Sequence, residues 1–107
     1  MVKWHPPEEG CWKINTDAAT CYANRSIGLG IIIRNNLGVV KAAASIKLKA
    51  MVSPLVAEAL AVWRGVILAV ENGLVPFHIE TDSLQVADLL NKGLVPHAEI
   101  RDARPLQ

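Results

Sequence analysis

The period of apolar and polar positions changes along the chain, and each change marks an element. Over Cys11–Ala19 the period is two, with Trp12, Ile14 and Thr16 on one face and Lys13, Asn15 and Asp17 on the other. That pattern predicts a half-buried strand with Asp17 near its C-terminal end. Residues 20–27 are polar and predict a loop. Gly28–Arg34 is β-branched and predicts a second strand. Asn35-Asn36-Leu37-Gly38, rich in residues that tolerate positive φ, predicts a hairpin turn into a third strand over Val39–Leu48. The chain therefore opens as a three-stranded antiparallel meander, after an extended entry segment in which Pro6 and Pro7 exclude helix.

The period then changes to that of a helix. Ser53-Pro54 supplies an N-cap and a first-turn proline, and Gly73 follows Asn72 as a stop. Ala57, Ala61, Gly65 and Ala69 recur every four residues, a small-residue stripe on which a sheet can pack closely. Val75–Thr81 predicts a fourth strand. Asp82 or Ser83 then caps a second helix, which ends near Lys92-Gly93. Beyond Gly93 the pattern fades, and Ile100–Gln107 reads as the start of another helix.

Connectivity gives these elements chemical meaning. A right-handed crossover through the long helix returns the chain to the same sheet, beside strand three or beside strand one. In the second arrangement Asp17 and Asp82 share one end of two parallel neighbours, about 4.8 Å apart. Carboxylates that close repel unless a cation intervenes, and magnesium prefers carboxylate oxygen. Glu58 offers a third ligand. It is the one charged residue between Ser53 and Trp63, on the helix face of Pro54, Ala61, Val62 and Gly65, and a buried glutamate needs a partner. Each acid also has a plainer reading. Asp82 with Gln85 fits a capping box, Asp17 can close a strand into a loop, and Glu58 can favour a helix dipole. Glu80 is expected to be solvated. The ordered set of three is what favours a metal site.

Composition narrows the setting. The 107 residues make one domain, 51% hydrophobic and 20% charged, too apolar for disorder. A formal charge of +1 gives no general support for nucleic-acid binding. The nearest basic cluster, Lys41, Lys47 and Lys49, reads as a solvated strand face. Cys11 and Cys21 form no C-x-x-C, and His5, His78 and His97 lack ligand spacing, so reduced thiols and an intracellular location are expected, with no zinc site. The N-terminus has no apolar signal region. The apolar stretch at 55–70 carries Glu58 and Arg64 and is too short to cross a membrane, so no membrane partner is expected.

Several stretches together carry a family likeness. They are Trp4-His5-Pro6-Pro7 with Gly10–Ala19, Gly28–Asn35 with Gly38, Ala57-Glu58-Ala59-Leu60-Ala61 with Gly65 and Ala69, and Ile79-Glu80-Thr81-Asp82-Ser83. In this order the chain resembles the ribonuclease H-like domains of plants, free-standing or attached to non-LTR retroelement reverse transcriptases. The resemblance implies an α/β fold whose mixed sheet joins the meander to a parallel fourth strand beside strand one, with helices packed on it. It also implies a site of four acids holding two magnesium or manganese ions, in which Asp17, Glu58 and Asp82 are the strand-one, helix and strand-four ligands. The implied activity is endonucleolytic hydrolysis of the RNA strand of an RNA–DNA hybrid. The alternative is a non-catalytic module of the same fold that binds nucleic acid or protein.

The family's fourth acid follows a fifth strand, and the sequence is expected to end before both that strand and the final helix. Residues 1–107 then make one domain incomplete at its C-terminus, with weak or lost activity. Glu99, Asp102 and His97 precede the point where strand five should begin and do not substitute. Ala18 stands where the family pattern has glycine. With strand five missing, strand four becomes an exposed edge, and a homodimer through that edge is expected.

Overall fold

The computed structural model describes residues 10–91 and 98–102. Its elements are β1 (Trp12–Cys21), β2 (Ser26–Arg34), β3 (Val40–Lys49), α1 (Pro54–Glu71), β4 (Phe77–Thr81), α2 (Leu84–Leu90) and β5 (Ala98–Asp102). The strands form one sheet in the order β3-β2-β1-β4-β5. The meander forms as expected, but the first loop is shorter than the expected 20–27, because Thr20↔Ile27 and Cys21↔Ser26 still pair: β1 pairs antiparallel with β2 from Lys13↔Arg34 to Cys21↔Ser26, and β2 with β3 from Ser26↔Lys49 to Arg34↔Val40. Asn35 makes the turn between β2 and β3. Its Oδ1 accepts the Leu37 and Val39 N–H groups at 2.9 Å each, and Gly38 takes φ 81°.

β4 runs parallel to β1, in register from Trp12↔Phe77 to Asn15↔Glu80. This is the arrangement on which a shared carboxylate end depends. The connection between β3 and β4 is α1, capped where Ser53 Oγ accepts the Val56 N–H at 3.2 Å. The helix stops in a Schellman motif, with Gly73 at φ 68° and the Leu74 N–H returned to the Ala69 carbonyl at 2.8 Å. Its small-residue stripe lies on the sheet, for Ala57, Ala61, Gly65 and Ala69 are all buried. A Cβ at Gly65 would come within 3.0 Å of Ile14 Cγ2 and 3.2 Å of Thr16 Cγ2, tighter than ordinary packing, so glycine suits the close approach of helix to sheet. The core between helix and sheet gathers Ile14, Ile31, Ile33, Val62, Phe77 and Ile79.

Two expectations are corrected. A fifth strand is present: β5 pairs parallel with β4 from Phe77↔Ala98 to Thr81↔Asp102, so Ile100 lies in a strand where a helix start was expected, and Glu99 and Asp102 lie within strand five. β4 is therefore paired on both sides and offers no edge. The homodimer through that edge loses its physical basis, because its backbone groups are already committed to β1 and β5. Among the described residues the outermost strands are β3 and β5. Lys41, Lys47 and Lys49 are exposed on β3, as a solvated face requires, and such residues discourage edge-to-edge pairing. The expected entry segment before Gly10, the end of the second helix near Lys92-Gly93 and residues 103–107 lie outside the described residues.

Candidate acidic site

The three acids come from three elements. Asp17 lies within β1, at the point where β4 stops pairing with it; the last register pair is Asn15↔Glu80, and the same offset continued by two residues sets Asp17 beside Asp82. Asp82 follows the last residue of β4 and precedes α2. Its neighbours hold that junction. Thr81 Oγ1 accepts the Ser83 N–H at 3.1 Å, and Ser83 Oγ accepts the Val86 N–H at 3.3 Å. Ser83 is thus the cap of α2, and Asp82, which is exposed, is released from that duty.

Glu58 lies on α1, half-buried, one residue after Ala57 in the stripe that meets the sheet. Its Oε2 is buried and has no hydrogen-bond partner. Burial pushes its carboxyl above the ordinary carboxylate range, the charges of Asp17 and Asp82 push it further, and the Ala18 backbone N–H pulls the other way. The three carboxylates therefore feel one another across the sheet end, as the sequence pattern requires. They do not clasp: among the described residues no three acidic, histidine or cysteine side chains form a group able to hold an ion in this conformation. Asp17 turns one oxygen to its own neighbour, Oδ1 accepting the Ala18 N–H at 2.9 Å. Beside Asp17 a shallow depression of about 450 Å³ opens over Gly30, Ala43 and Ser45. Its small-residue floor leaves that carboxylate open to a ligand. In the backbone, Asp102 comes to the same end of the sheet, in register with Thr81.

The structure also shows a group that local patterning missed. Glu80 is not solvated: its side chain is 11% exposed and forms a salt bridge with Lys13, itself 3% exposed. Asn15 Nδ2 donates to Glu80 Oε1 at 3.3 Å, and Arg34 Nη1 donates to Asn15 Oδ1 at 3.0 Å. The signal was the even spacing of Lys13, Asn15 and Asp17. Its meaning depended on a strand 65 residues away.

A parallel β1–β4 pair inside an antiparallel meander, crossed by one long helix, is the ribonuclease H-like fold. The chain belongs to the reverse transcriptase-like family, whose profile matches residues 15–102. Among solved structures it is similar to the LC11 ribonuclease H1 in complex with an RNA/DNA hybrid, with TM-score 0.63 and 20% identity over 76% of this chain and 61% of that one. It is similar to ribonuclease H1 from the halophilic archaeon Halobacterium salinarum NRC-1, with TM-score 0.73 and 14% identity over 85% of this chain and 83% of that one. A foamy viral protease–reverse transcriptase in complex with double-stranded DNA gives TM-score 0.59 and 27% identity, covering 81% of this chain and 56% of that one. The chain thus spans 61% of the length of the LC11 enzyme and less of the viral protein. No curated protein matches it.

Proposed function

We propose that this domain is a metal-dependent endoribonuclease of ribonuclease H type, acting on the RNA strand of RNA–DNA hybrids, with Asp17, Glu58 and Asp82 as ligands for magnesium or manganese. One observation carries the reading: a half-buried glutamate whose Oε2 lacks a hydrogen-bond partner is held above its ordinary pKa by burial and by the charges of two aspartates. A divalent cation would satisfy the buried Glu58 oxygen and relieve the repulsion among the three carboxylates together. When bound, a pair of such ions supplies charge compensation to the attacking and leaving oxygens of an in-line phosphodiester displacement. The chain's part is to hold the ligands apart from their own counter-charges. Gly65 seats α1 low enough for Glu58 to reach the sheet end, and Ser83 takes over the helix cap so that Asp82 is left exposed. The hybrid bound to the LC11 enzyme supports the substrate class. The ordered set of matching stretches from Trp4 to Ser83 supports a plant and retroelement affinity, and the free Cys11 and Cys21 fit an intracellular location.

The second reading, a non-catalytic binding module, is favoured by the open spacing of the carboxylates. Incubation of a labelled RNA–DNA hybrid with magnesium or manganese separates the two. Cleavage of the RNA strand that Asp17→Asn abolishes establishes the enzyme. Salt-sensitive binding without cleavage establishes the module.

A further inference from the structure

On the sheet face opposite α1, side chains stand in rows across β4, β1 and β2. The first row is His78, Lys13 and Arg34, and the second is Glu80, Asn15 and Ile32. In the third row Asp17 stands beside Gly30, and the β1–β4 offset continued brings Asp82 to its other side. We propose that Lys13, Asn15, Glu80 and Arg34 are a positioning network that sets the register of β1 against β4 and thereby holds Asp17 and Asp82 side by side. The inference rests on the metal-site reading for its functional meaning and on the strand geometry for its content.

Apolar packing alone does not choose this register. Trp12, Ile14 and Thr16 alternate on β1 as Phe77, Ile79 and Thr81 do on β4, so a slip of two residues keeps every side chain on its face. The β1–β4 pairing is also short, from Trp12↔Phe77 to Asn15↔Glu80. The polar row discriminates. A slip one way sets Glu80 against Asp17, like charge on like. The opposite slip sets Glu80 opposite Lys13 and Asp82 opposite Asn15, which keeps an acid on each partner but takes Glu80 from the hydrogen bond that Asn15 gives it and Asp82 from beside Asp17. Only the observed register lets Asn15 donate to Glu80 while accepting from Arg34, with Glu80 closing on buried Lys13. Buried ionic groups cost desolvation and often add little net stability, and fixing register is their best-attested use.

The test is the double variant Lys13→Met with Glu80→Leu, of similar volume and without the charges. Its thermal midpoint is expected to match or exceed that of the parent. Its β1–β4 cross-strand nuclear Overhauser contacts are expected to report more than one register, and its Mn²⁺ affinity, read by electron paramagnetic resonance, to fall about tenfold or more. A folded double variant that keeps the single Ile14–Ile79 contact pattern overturns the proposal. Should the double variant not fold, Glu80→Gln, which retains an acceptor for Asn15, decides by the same two readouts. Failure of the parent to bind Mn²⁺ refutes the metal site and leaves the register contacts to judge the network alone.

Discussion

The row of side chains around Glu80 and the acids around Asp82 lie two residues apart along the sheet, yet their charge is met in different ways. Around Glu80 the protein supplies everything: a lysine counter-charge, an asparagine donor and, through that asparagine, an arginine. Around Glu58 the charges that act are negative ones, from Asp17 and Asp82. A carboxylate compensated by its own fold is a structural device. A glutamate pressed by burial and by two like charges invites a cation. The difference between the two rows is the strongest argument that the second one binds a cation.

The comparison is broken most directly by exchanging the roles of the two carboxylates. Asp82→Asn is expected to lower hybrid cleavage by about 10²-fold or more, the scale for losing one preorganised charge-stabilising group. Because Asp82 is exposed and does not cap α2, the same change should move unfolding free energy by no more than about 0.5 kcal/mol. Glu80→Leu alone should do the reverse in stability. It withdraws the carboxylate from buried Lys13, and the loss is expected to exceed that of Asp82→Asn. Urea unfolding beside a cleavage assay reads both. Equal stability losses in the two variants would erase the distinction between the rows.

A third change acts on one row through the helix. At Gly65 a methyl group meets Ile14 Cγ2 at 3.0 Å and Thr16 Cγ2 at 3.2 Å. Gly65→Ala therefore requires the Ile14 and Thr16 side chains, or the helix above them, to give by a few tenths of an ångström, at an expected cost of up to about 1–3 kcal/mol. Where the helix gives, it carries Glu58 away from Asp17 but leaves the Lys13–Glu80 pair, which lies on the other face, intact. Mn²⁺ affinity should fall in Gly65→Ala while cross-strand contacts between Asn15 and Glu80 persist.

Much of this fold was legible in the residues. The meander, the Asn35–Gly38 turn, the Ser53 cap, the Gly73 stop and the small-residue stripe each rest on interactions within a few positions, and local pattern reports local interactions. The parallel β1–β4 pairing was legible from pattern as one of two topologies, and the family resemblance, not a local interaction, pointed to the one that brings Asp17 and Asp82 together. β5 was not legible. Ala98–Asp102 holds one large apolar residue, Ile100, among alanine and charged groups, and five residues with one such anchor show no period. Nor was the fate of Glu80. Its partners sit on β1 and β2, so its burial depends on register, which no local window contains.

The smallest effect is the sharpest test of the acid row, because its sign depends on pH. Burial first, and then the charges of Asp17 and Asp82, raise the Glu58 carboxyl above its ordinary value of 4.5 in the folded chain. The folded state then holds a proton that the unfolded state has released. Stability contributed by that proton is fully present below pH 4.5 and is lost as pH rises through the raised folded value. Above that window the native state carries an ionised Glu58 that it disfavours. Glu58→Gln, which cannot ionise, should therefore unfold at a higher midpoint than the parent at pH 7, and the gap should close as pH falls toward 4.5. Magnesium should narrow the gap at pH 7 by stabilising the parent alone, since a ligand that binds only the native state adds to its stability. A midpoint difference unchanged between pH 4 and pH 7, with or without magnesium, would show that Glu58 is as well compensated as Glu80 and would remove the contrast between the rows.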